Sequence, residues 1–340
     1  MSADLFESDA WFGNLLAHGF EQPPQAFKLP LLSPAGQALA HLHLMQPTPG
    51  APLASLSNYY SCLYGPVPVV PGGVEQVSPA QWRAAGQAMR ALPGGAQLRL
   101  HPLDSASAWL PALERGLREA GYWSQRYFCF GNWYQPVPAG GFQPYWAERP
   151  SALRHSVERG RRRLAKAGTW RVEIVTGGAA QGPSPQASLE EAIAAYEAVY
   201  TQSWKGAERC PAFMPGLMHT AASQGWLRLG VLWLNGEPVA AQVWLVHGGK
   251  ANIYKLAYVK GYEKLSAGSV LTTALMQHTM DVDRVQEVDY LSGDDAYKAD
   301  WMALRRERVG VVGFDKFRLC AWAPAALHFA AAWWRQRHIA

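Results

Sequence analysis

The chain has 340 residues, a formal net charge of +5 and four cysteines. Apolar residues make up 49% of it and charged residues 17%, which excludes a disordered chain and indicates a globular protein of about two domains. The cysteines follow neither metal-binding nor disulfide spacing, so we expect no zinc site and no disulfide framework. The first residues lack a signal-peptide pattern and no apolar run is long enough to span a bilayer, so the sequence predicts a cytoplasmic protein.

Strands and helices alternate through the first half of the chain. A hairpin is predicted where FKLPLL and ALAHLHLMQ flank the turn at residues 33–36. Ser78 as N-cap and Pro79 at the first helical position predict the start of a helix. The other predicted elements are the strands LSNYYSCLYG and AQLRLHPL, the helix SAWLPALERGLREAGYW and the strand RYFCFGNWYQPV. Prolines and glycines at 136–144 then predict a boundary, so that the first domain covers residues 1–145.

The second half, residues 146–318, begins with the basic helix PSALRHSVERGRRRLAKAG and the strand WRVEIVT. The Gly, Pro and Ser-rich loop GGAAQGPSPQAS follows, and Ser188 with Glu191 has the pattern of a capping box. Asn-Gly at 235–236 and Gly-Gly at 248–249 predict the two turns of a three-strand meander. The remaining predicted elements are the helix SVLTTALMQHTMD, the strand VQEVDYLSG, the helix DDAYKADWMALRR and the strand VGVVGF. This order predicts an α/β fold with a mixed sheet.

The stretch GYEKLSAGSVL places small residues where a strand passes into a helix. The first turn of a helix has N–H groups without intrahelical partners, and the helix dipole adds partial positive charge there. Small side chains from Ser266 to Ser269 would let a phosphate approach this backbone. A turn that only caps the helix is the alternative interpretation.

This stretch resembles the signature of the GNAT acyltransferases, in which Arg or Gln, two residues, Gly, one residue and then Gly or Ala hold the pyrophosphate of coenzyme A. Gly268 matches that signature, whereas Glu263 and Ser266 differ from it. With SWK at 203–205 and the GDDAYK stretch, the sequence looks like the CelD-like branch, which is associated with cellulose and exopolysaccharide synthesis. That branch is related to the Fem-type aminoacyltransferases, which carry two GNAT-like halves. The resemblance covers residues 150 to 315.

The resemblance implies tandem GNAT-like halves, of which the first is degenerate. In the first half, the long stretch that holds Pro66, Pro68 and Pro71 cannot form a tight phosphate turn, so we expect one cofactor site per chain. The implied co-substrate is acetyl-CoA or another acyl-CoA, and no metal is expected. The residues implied to hold it are Val259, Lys264, Ser266, Ala267, Gly268 and Ser269.

The resemblance also implies direct transfer of an acyl group from acyl-CoA, or from a carrier-protein thioester, to an amine of a small molecule, glycan or peptide. Such a reaction needs a base for the amine proton and can use an acid for the departing thiolate. Asp294 is the predicted base, with Asp289 and Asp295 as neighbouring candidates, and Tyr297 is predicted to lie near the sulfur. The alternatives are that the aspartates cap a helix and that the tyrosine packs in the core.

Three further side chains are candidates for the site. Alternation places Lys255 on an apolar strand face, where it could bind an acidic group, pair with an aspartate near 294 or extend from an edge to water. It is predicted as a catalytic residue. Trp204 and Lys298 are predicted to bind substrate, with core packing and an exposed helical lysine as the respective alternatives.

Two segments bear on partners. The basic helix is predicted to be a solvated face, with nucleotide phosphates, tRNA or acidic lipid as alternative contacts. The tail at 319–340 is predicted to pack on the protein, with peripheral membrane contact as the alternative. No DNA partner is expected. An N-acyltransferase is the predicted function, and a Fem-type transferase that uses aminoacyl-tRNA or a binding or assembly subunit without catalysis are the alternatives.

Overall fold

The computed structural model describes residues 4–177 and 188–338, so residues 178–187 of the predicted Gly, Pro and Ser-rich loop lie outside the described part. The helices are α1 (Asp9–His18), α2 (Pro79–Ala91), α3 (Leu110–Glu119), α4 (Phe142–Ala147), α5 (Ser151–Ala167), α6 (Leu189–Thr201), α7 (Phe213–Ser223), α8 (Ala267–Gln277), α9 (Lys298–Trp301) and α10 (Trp322–His338). The strands are β1 (Gln25–Leu32), β2 (Ala38–Gln46), β3 (Leu53–Ser55), β4 (Val67–Pro68), β5 (Gln97–Asp104), β6 (Tyr122–Pro136), β7 (Trp170–Thr176), β8 (Leu227–Leu234), β9 (Glu237–His247), β10 (Lys250–Tyr258), β11 (Glu287–Asp289) and β12 (Leu304–Asp315).

The chain folds as two compact units. The first unit contains residues 20–130 and 307–340 together with the residues up to Leu16, and the second contains residues 131–306 together with 17–19. Strands β6 and β12 each pass from one unit into the other. The domain boundary predicted at residue 145 lies within the second unit, and the predicted tail lies within the first.

The first unit is built on a sheet in the order β1-β2-β3-β5-β12. The hairpin of β1 and β2 is confirmed, and the β3–β5 pair is the parallel one in this series. The predicted strand LSNYYSCLYG is wrong, because the described strand ends at Ser55. Beyond it, polar side chains bond to neighbouring backbone instead: Ser57 Oγ donates to the His101 carbonyl at 2.7 Å and the Tyr64 hydroxyl to the His43 carbonyl at 2.8 Å.

The second unit is built on the predicted meander. Strands β7, β8, β9 and β10 pair antiparallel in sequence order, β11 joins β10 in parallel, and β6 pairs antiparallel with β11. Apolar residues of α5 and α8, such as Val157, Leu164 and Leu271, are buried with the strands in one core. The predicted mixed α/β fold is therefore confirmed.

Strands β10 and β11 part after a short ladder. They pair only from Lys250 to Asn252 on β10 and from Glu287 to Asp289 on β11. Beyond Asn252, β10 continues to Tyr258 beside β9, with a bulge between Ile253 and Lys255. We call the divergence of the two strands the splay, and it opens toward the loop that follows β11.

Four helices differ from the sequence-based expectation. The helix predicted over DDAYKADWMALRR is reduced to α9, because Met302 is extended and the following arginines enter β12. Helix α1 was not predicted. Helices α4 and α7 were not predicted either, since Pro144 and Pro215 interrupt their apolar patterns. Each proline lies in the first turn, where its missing N–H costs the helix no hydrogen bond.

Candidate active site

The turn between β10 and α8 presents an uncapped helix N-terminus. Ser266 is in the left-handed region, with φ of 51°, and no side chain caps the helix. The first bond of α8 runs from the Val270 N–H to the Ser266 carbonyl, so the N–H groups of residues 267–269 precede it. A Cβ added at Gly268 would meet only Tyr258 Cδ1, at 3.4 Å. The backbone over Gly268 is therefore accessible to an anion.

Glu263 departs from the GNAT signature, but its carboxylate is occupied within the turn. Both carboxylate oxygens accept the Gly261 N–H at 3.0 Å. This backbone hydrogen bond lowers the pKa of Glu263. The acidic group is thus bound to the backbone at the start of the turn.

Helix α5 packs directly against this turn. A Cβ added at Gly160 would lie 2.8 Å from the Leu265 carbonyl oxygen, so only glycine permits the close approach. Arg163 Nη1 donates to the Lys264 carbonyl at 2.6 Å. Arg163 of the basic helix is therefore placed beside the turn that precedes the uncapped N-terminus, an arrangement that the sequence did not predict.

Gln242 on β9 holds the first turn of α8 against the sheet by hydrogen bonds. Its side chain is buried, and Nε2 donates to the Gly268 carbonyl at 3.0 Å and to Thr272 Oγ1 at 2.8 Å. Its Oε1 accepts Trp244 Nε1–H at 2.9 Å. Sequence analysis missed this residue, although a glutamine within the apolar strand VAAQVWLV was the available signal.

The predicted cofactor residues surround the turn, with one qualification. Ser266, Ala267, Gly268 and Ser269 form the N-terminus of α8, and Lys264 is exposed just before it. Val259 follows β10, where its N–H donates to the Val239 carbonyl at 2.9 Å. The backbone N–H of Val259 is therefore engaged by the sheet.

An aromatic pair lies next to the turn. Trp204, whose exposed fraction is 46%, packs against Tyr258 with ring centroids 4.4 Å apart. Tyr258 is also the residue nearest to the open side of Gly268. The predicted substrate residue Trp204 thus lies on a wall that borders the turn.

Lys255 pairs with a residue that the sequence did not indicate. Its Nζ lies 3.0 Å from Glu208 Oε1, and both side chains are about nine-tenths buried. Glu208 is not the aspartate near 294 that the sequence offered as one of the alternatives for Lys255. The salt bridge satisfies the lysine on its apolar strand face.

Lys205 is the most perturbed lysine of the described residues. Burial lowers its pKa to about 8, and the positive charges of Lys255 and Lys298 add to this effect while Glu208 opposes it. Its Nζ lies 5.7 Å and 5.8 Å from the ring centroids of Trp204 and Tyr200. An amine that is partly neutral near pH 8 can accept a proton. Sequence analysis did not single out Lys205.

Lys298 organises the loop that follows β11. It is buried, and its Nζ donates to the carbonyls of Tyr290, Ser292 and Gly293. It also lies 5.1 Å from the ring centroid of Tyr290. Its contacts describe a residue that positions this loop, and its predicted role in substrate binding stays a prediction.

Asp294 is held in a clamp. Arg305 donates to it through Nε at 2.9 Å and Nη2 at 2.6 Å, and Trp133 Nε1 donates to Oδ1 at 3.0 Å. The hydrogen bond from Arg305 is the main reason that the pKa of Asp294 is lowered. The clamp thus stabilises the ionised form of the carboxylate, and because its pKa is lowered the carboxylate is a weaker base.

Tyr297 lies at the start of α9, half-exposed and edge-on to Tyr290 with ring centroids 5.8 Å apart. Burial raises the pKa of Tyr297, so its hydroxyl stays protonated at neutral pH. It can therefore donate a proton or a hydrogen bond.

Asp289 belongs to a buried network at the end of β11. It accepts hydrogen bonds from Asn132 Nδ2 and from the Leu291 N–H, both at 2.6 Å, and it pairs with Arg306. Leu291 has φ of 55°, a conformation that this network holds in place. Asp289 therefore shapes the start of the loop rather than offering a free carboxylate.

The described ranges, 4–177 and 188–338, lack two kinds of feature. No group of three or more His, Cys, Asp or Glu side chains in them could hold a metal ion. No helix in them is long and apolar enough to cross a membrane.

Comparison with known proteins places this geometry in a wider context. Residues 151–299 match the family model described as an acetyltransferase (GNAT) domain. No curated protein matches the chain. Among solved structures, FemX has a TM-score of 0.63 at 11% identity, over 92% of each chain.

Two further solved structures are similar. One is the C-terminal domain (DUF2156) assigned to a lysylphosphatidylglycerol synthetase from Agrobacterium fabrum, with a TM-score of 0.56 at 16% identity over 96% of this chain and 92% of that one. The other is L-PGS from Bacillus licheniformis, with a TM-score of 0.50 at 14% identity over 94% and 95%. At these identities the similarity shows a shared fold. The segment that carries α5, the turn before α8 and Asp294 thus matches a GNAT acetyltransferase domain.

Proposed function

We propose that this protein is an N-acyltransferase of the CelD-like type, which moves an acyl group from an acyl-CoA or a carrier-protein thioester to an amine. The observation that carries the proposal is the uncapped N-terminus of α8, accessible over Gly268, at the end of the turn that follows β10, a strand that parts from its neighbour. Such an N-terminus binds phosphate groups through its N–H groups and dipole. The match of residues 151–299 to a GNAT domain supports the same reading.

The residues around the turn fit the diphosphate of an acyl-CoA. The N–H groups of Ala267, Gly268 and Ser269 would hold it, with Lys264 and Arg163 supplying positive charge nearby. The co-substrate supplies an activated thioester when bound. Fixing thioester and amine together would provide most of the acceleration, because positioning removes the entropic cost of bringing them into line.

Acyl transfer from a thioester to an amine would use the ionisable groups near the splay in different roles. The amine nitrogen attacks the thioester carbonyl, a C–N bond forms, the C–S bond breaks, and the amine loses a proton. The depressed pKa of Lys205 supports it as the acceptor of that proton, and the protonated Tyr297 hydroxyl fits a donor to the departing thiolate. The Lys255–Glu208 pair would tune Lys205, whereas the Arg305 clamp on Asp294 favours a positioning role.

A second function is favoured by one specific observation, the charge of α5. That helix carries six basic residues and one acidic residue, a net charge of +5, which equals the formal net charge of the whole chain. The rest of the chain is therefore neutral in sum, and the excess lies on a helix of which Gly160 and Arg163 contact the turn. A polyanionic donor such as aminoacyl-tRNA would use such a surface. A Fem-type transferase, with aminoacyl-tRNA as its donor, is thus the alternative function.

The donor can be identified by ligand-induced stabilisation. A ligand that binds only the folded state raises the melting temperature in proportion to its occupancy, so millimolar coenzyme A or acyl-CoA should stabilise the wild-type protein. Gly268→Val should abolish this shift, because a branched side chain fills the space over the turn. Gly13→Val is the matched control, since its added side chain also meets open space in a helix of the other unit.

The outcomes separate the three functions. Stabilisation by coenzyme A that is lost in Gly268→Val and kept in Gly13→Val supports the acyl-CoA-dependent enzyme, and calorimetry should then give one site per chain. Stabilisation by aminoacyl-tRNA alone would favour the Fem-type reading. A protein that neither ligand stabilises would contradict both and favour a non-catalytic binding or assembly subunit.

A further inference from the structure

The outer face of α10, in the first unit, consists of apolar side chains. Within residues 322–334 every exposed residue is Ala, Leu or Trp. These exposed residues are Trp322, Ala323, Ala326, Leu327, Ala330, Ala331, Trp333 and Trp334. The exposed fractions of the large ones are 50% for Trp322, 74% for Leu327, 55% for Trp333 and 58% for Trp334. Surface helices of water-facing proteins normally present polar residues on such a face.

The opposite face already anchors the helix to its unit. Ala321 and Ala325 are buried with Val312 and Phe314 of β12, and Phe329 packs against the same cluster. His328, the one polar residue between 322 and 334, turns inward and hydrogen-bonds Gln125 at 3.0 Å. The outer face is therefore not needed to build the core.

The apolar surface extends beyond the outer face of the helix. Just before α10, Phe317 is 72% exposed and Leu319 is 80% exposed. On its flank lies an apolar pocket of ≈ 330 Å³. The pocket is lined by Trp123, Trp322, Ala325, Ala326 and Phe329. We call the outer face, these two residues and this pocket together the apolar surface.

Charge distribution along the segment identifies the occupant. From residue 316 to 338 the sequence contains four basic residues and no acidic residue. Two of them, Lys316 and Arg318, precede the helix, and the other two, Arg335 and Arg337, lie in its last turn. Cationic residues at both ends of an apolar, tryptophan-rich face are the pattern of helices that lie in a membrane interface. Tryptophan rings also favour the boundary between acyl chains and headgroups.

We propose that the apolar surface docks the protein onto an anionic lipid membrane, with α10 lying in the interface plane. The leucine and tryptophan side chains would enter the acyl boundary, while the net positive charge of the segment would favour anionic lipid. Helix α10 has 17 residues and is not a candidate for a membrane-spanning helix, which is compatible with a helix that lies on the membrane surface. This inference stands independently of the acyl-transfer reaction.

Vesicle binding by the full chain tests the proposal. The wild-type protein should co-sediment with vesicles of phosphatidylcholine and phosphatidylglycerol, more weakly with phosphatidylcholine alone, and its tryptophan emission should shift to shorter wavelength. Leu327→Glu should reduce binding about tenfold or more, because it places a charge in the middle of the inserted face. Leu32→Glu, at a leucine that is 43% exposed on β1, carries the same charge change and should bind as wild type.

Thermal melts of both variants establish that each is folded, and the two should melt within a few degrees of wild type. Raising the salt concentration should weaken binding to anionic vesicles, since the cations contribute through screened charge. Wild-type protein that does not co-sediment with anionic vesicles would overturn the proposal. So would vesicle binding that Leu327→Glu leaves unchanged, or a wild-type dimer in sedimentation equilibrium that the same variant dissociates, because the occupant would then be a second copy of the chain.

Discussion

Replacing Lys205 with methionine should stabilise the protein at neutral pH. Burial lowers the pKa of Lys205 from 10.5 to about 8, with the charges of Lys255 and Lys298 contributing. A fall of about 2.5 pKa units corresponds to a penalty of about 3 kcal/mol on the charged form. The contacts with the rings of Trp204 and Tyr200 offset about 0.5–1 kcal/mol of it. Methionine keeps the apolar stem, so the expected gain in free energy of unfolding is about 2–3 kcal/mol.

The gain should depend on pH in a defined direction. The unfolded lysine titrates near 10.5 and the folded one near 8, so between these values the unfolded state binds more protons. The free energy of unfolding of the wild type therefore rises with pH through this window, because the folded Lys205 loses its unfavourable charge. Below pH 8 the full penalty is present. The advantage of Lys205→Met should consequently shrink from pH 8 upward and approach zero near pH 10.5.

Urea unfolding at several pH values between 7 and 10 measures this difference directly. Lys260→Met is the matched control, because Lys260 is exposed and its replacement should change the free energy of unfolding by less than about 0.5 kcal/mol at every pH. A Lys205→Met variant that is no more stable than wild type at pH 7 would refute the reasoning. An advantage that stays constant with pH would refute it as well, since the cause would then be packing and not charge.

Three other outcomes follow from the site. Gly160→Ala should destabilise the protein by about 1–3 kcal/mol and weaken coenzyme A binding, because its Cβ would lie 2.8 Å from the Leu265 carbonyl oxygen; unfolding and calorimetry measure the two effects. Gln242→Leu should lower the free energy of unfolding by about 1–3 kcal/mol, since the buried Trp244 N–H loses its acceptor, and an unchanged urea midpoint would contradict this. Asp294→Asn should reduce turnover less than about tenfold if the residue positions the loop, whereas a loss of about a hundredfold with unchanged coenzyme A binding would restore it as the base.

The turn that leads into α8 could be predicted from sequence because its determinants are local. Small residues from Ser266 to Ser269 lie in the short stretch between a strand pattern and a helical pattern. The capping box of Ser188 and Glu191 was equally readable and is confirmed. Both features depend on residues within a few positions of one another. Local propensity and backbone geometry are sufficient there.

The partners of the charged residues could not be predicted, because they come from distant segments. Lys255 pairs with Glu208, which lies 47 positions away, and Asp294 is clamped by Trp133, which lies 161 positions away. Periodicity places each lysine or aspartate on a face but carries no information about which segment packs against it. The same limit explains why Lys205 was overlooked, since its perturbed pKa arises from burial in tertiary structure.

The passage of β6 and β12 between the two units has a consequence for synthesis of the chain. Strand β5 in the first unit pairs with β12 through residues 308–314, which follow the entire run of 131–306. At a translation rate of about 5–20 residues per second, that run takes roughly 10 to 35 s to emerge. During this interval one edge of β5 has no β12 beside it, whereas the residues of the second unit are being synthesised one after another. The unit that begins first is thus completed last, and a nascent chain paused before Glu307 would expose a β-edge on which chaperones or other chains could act.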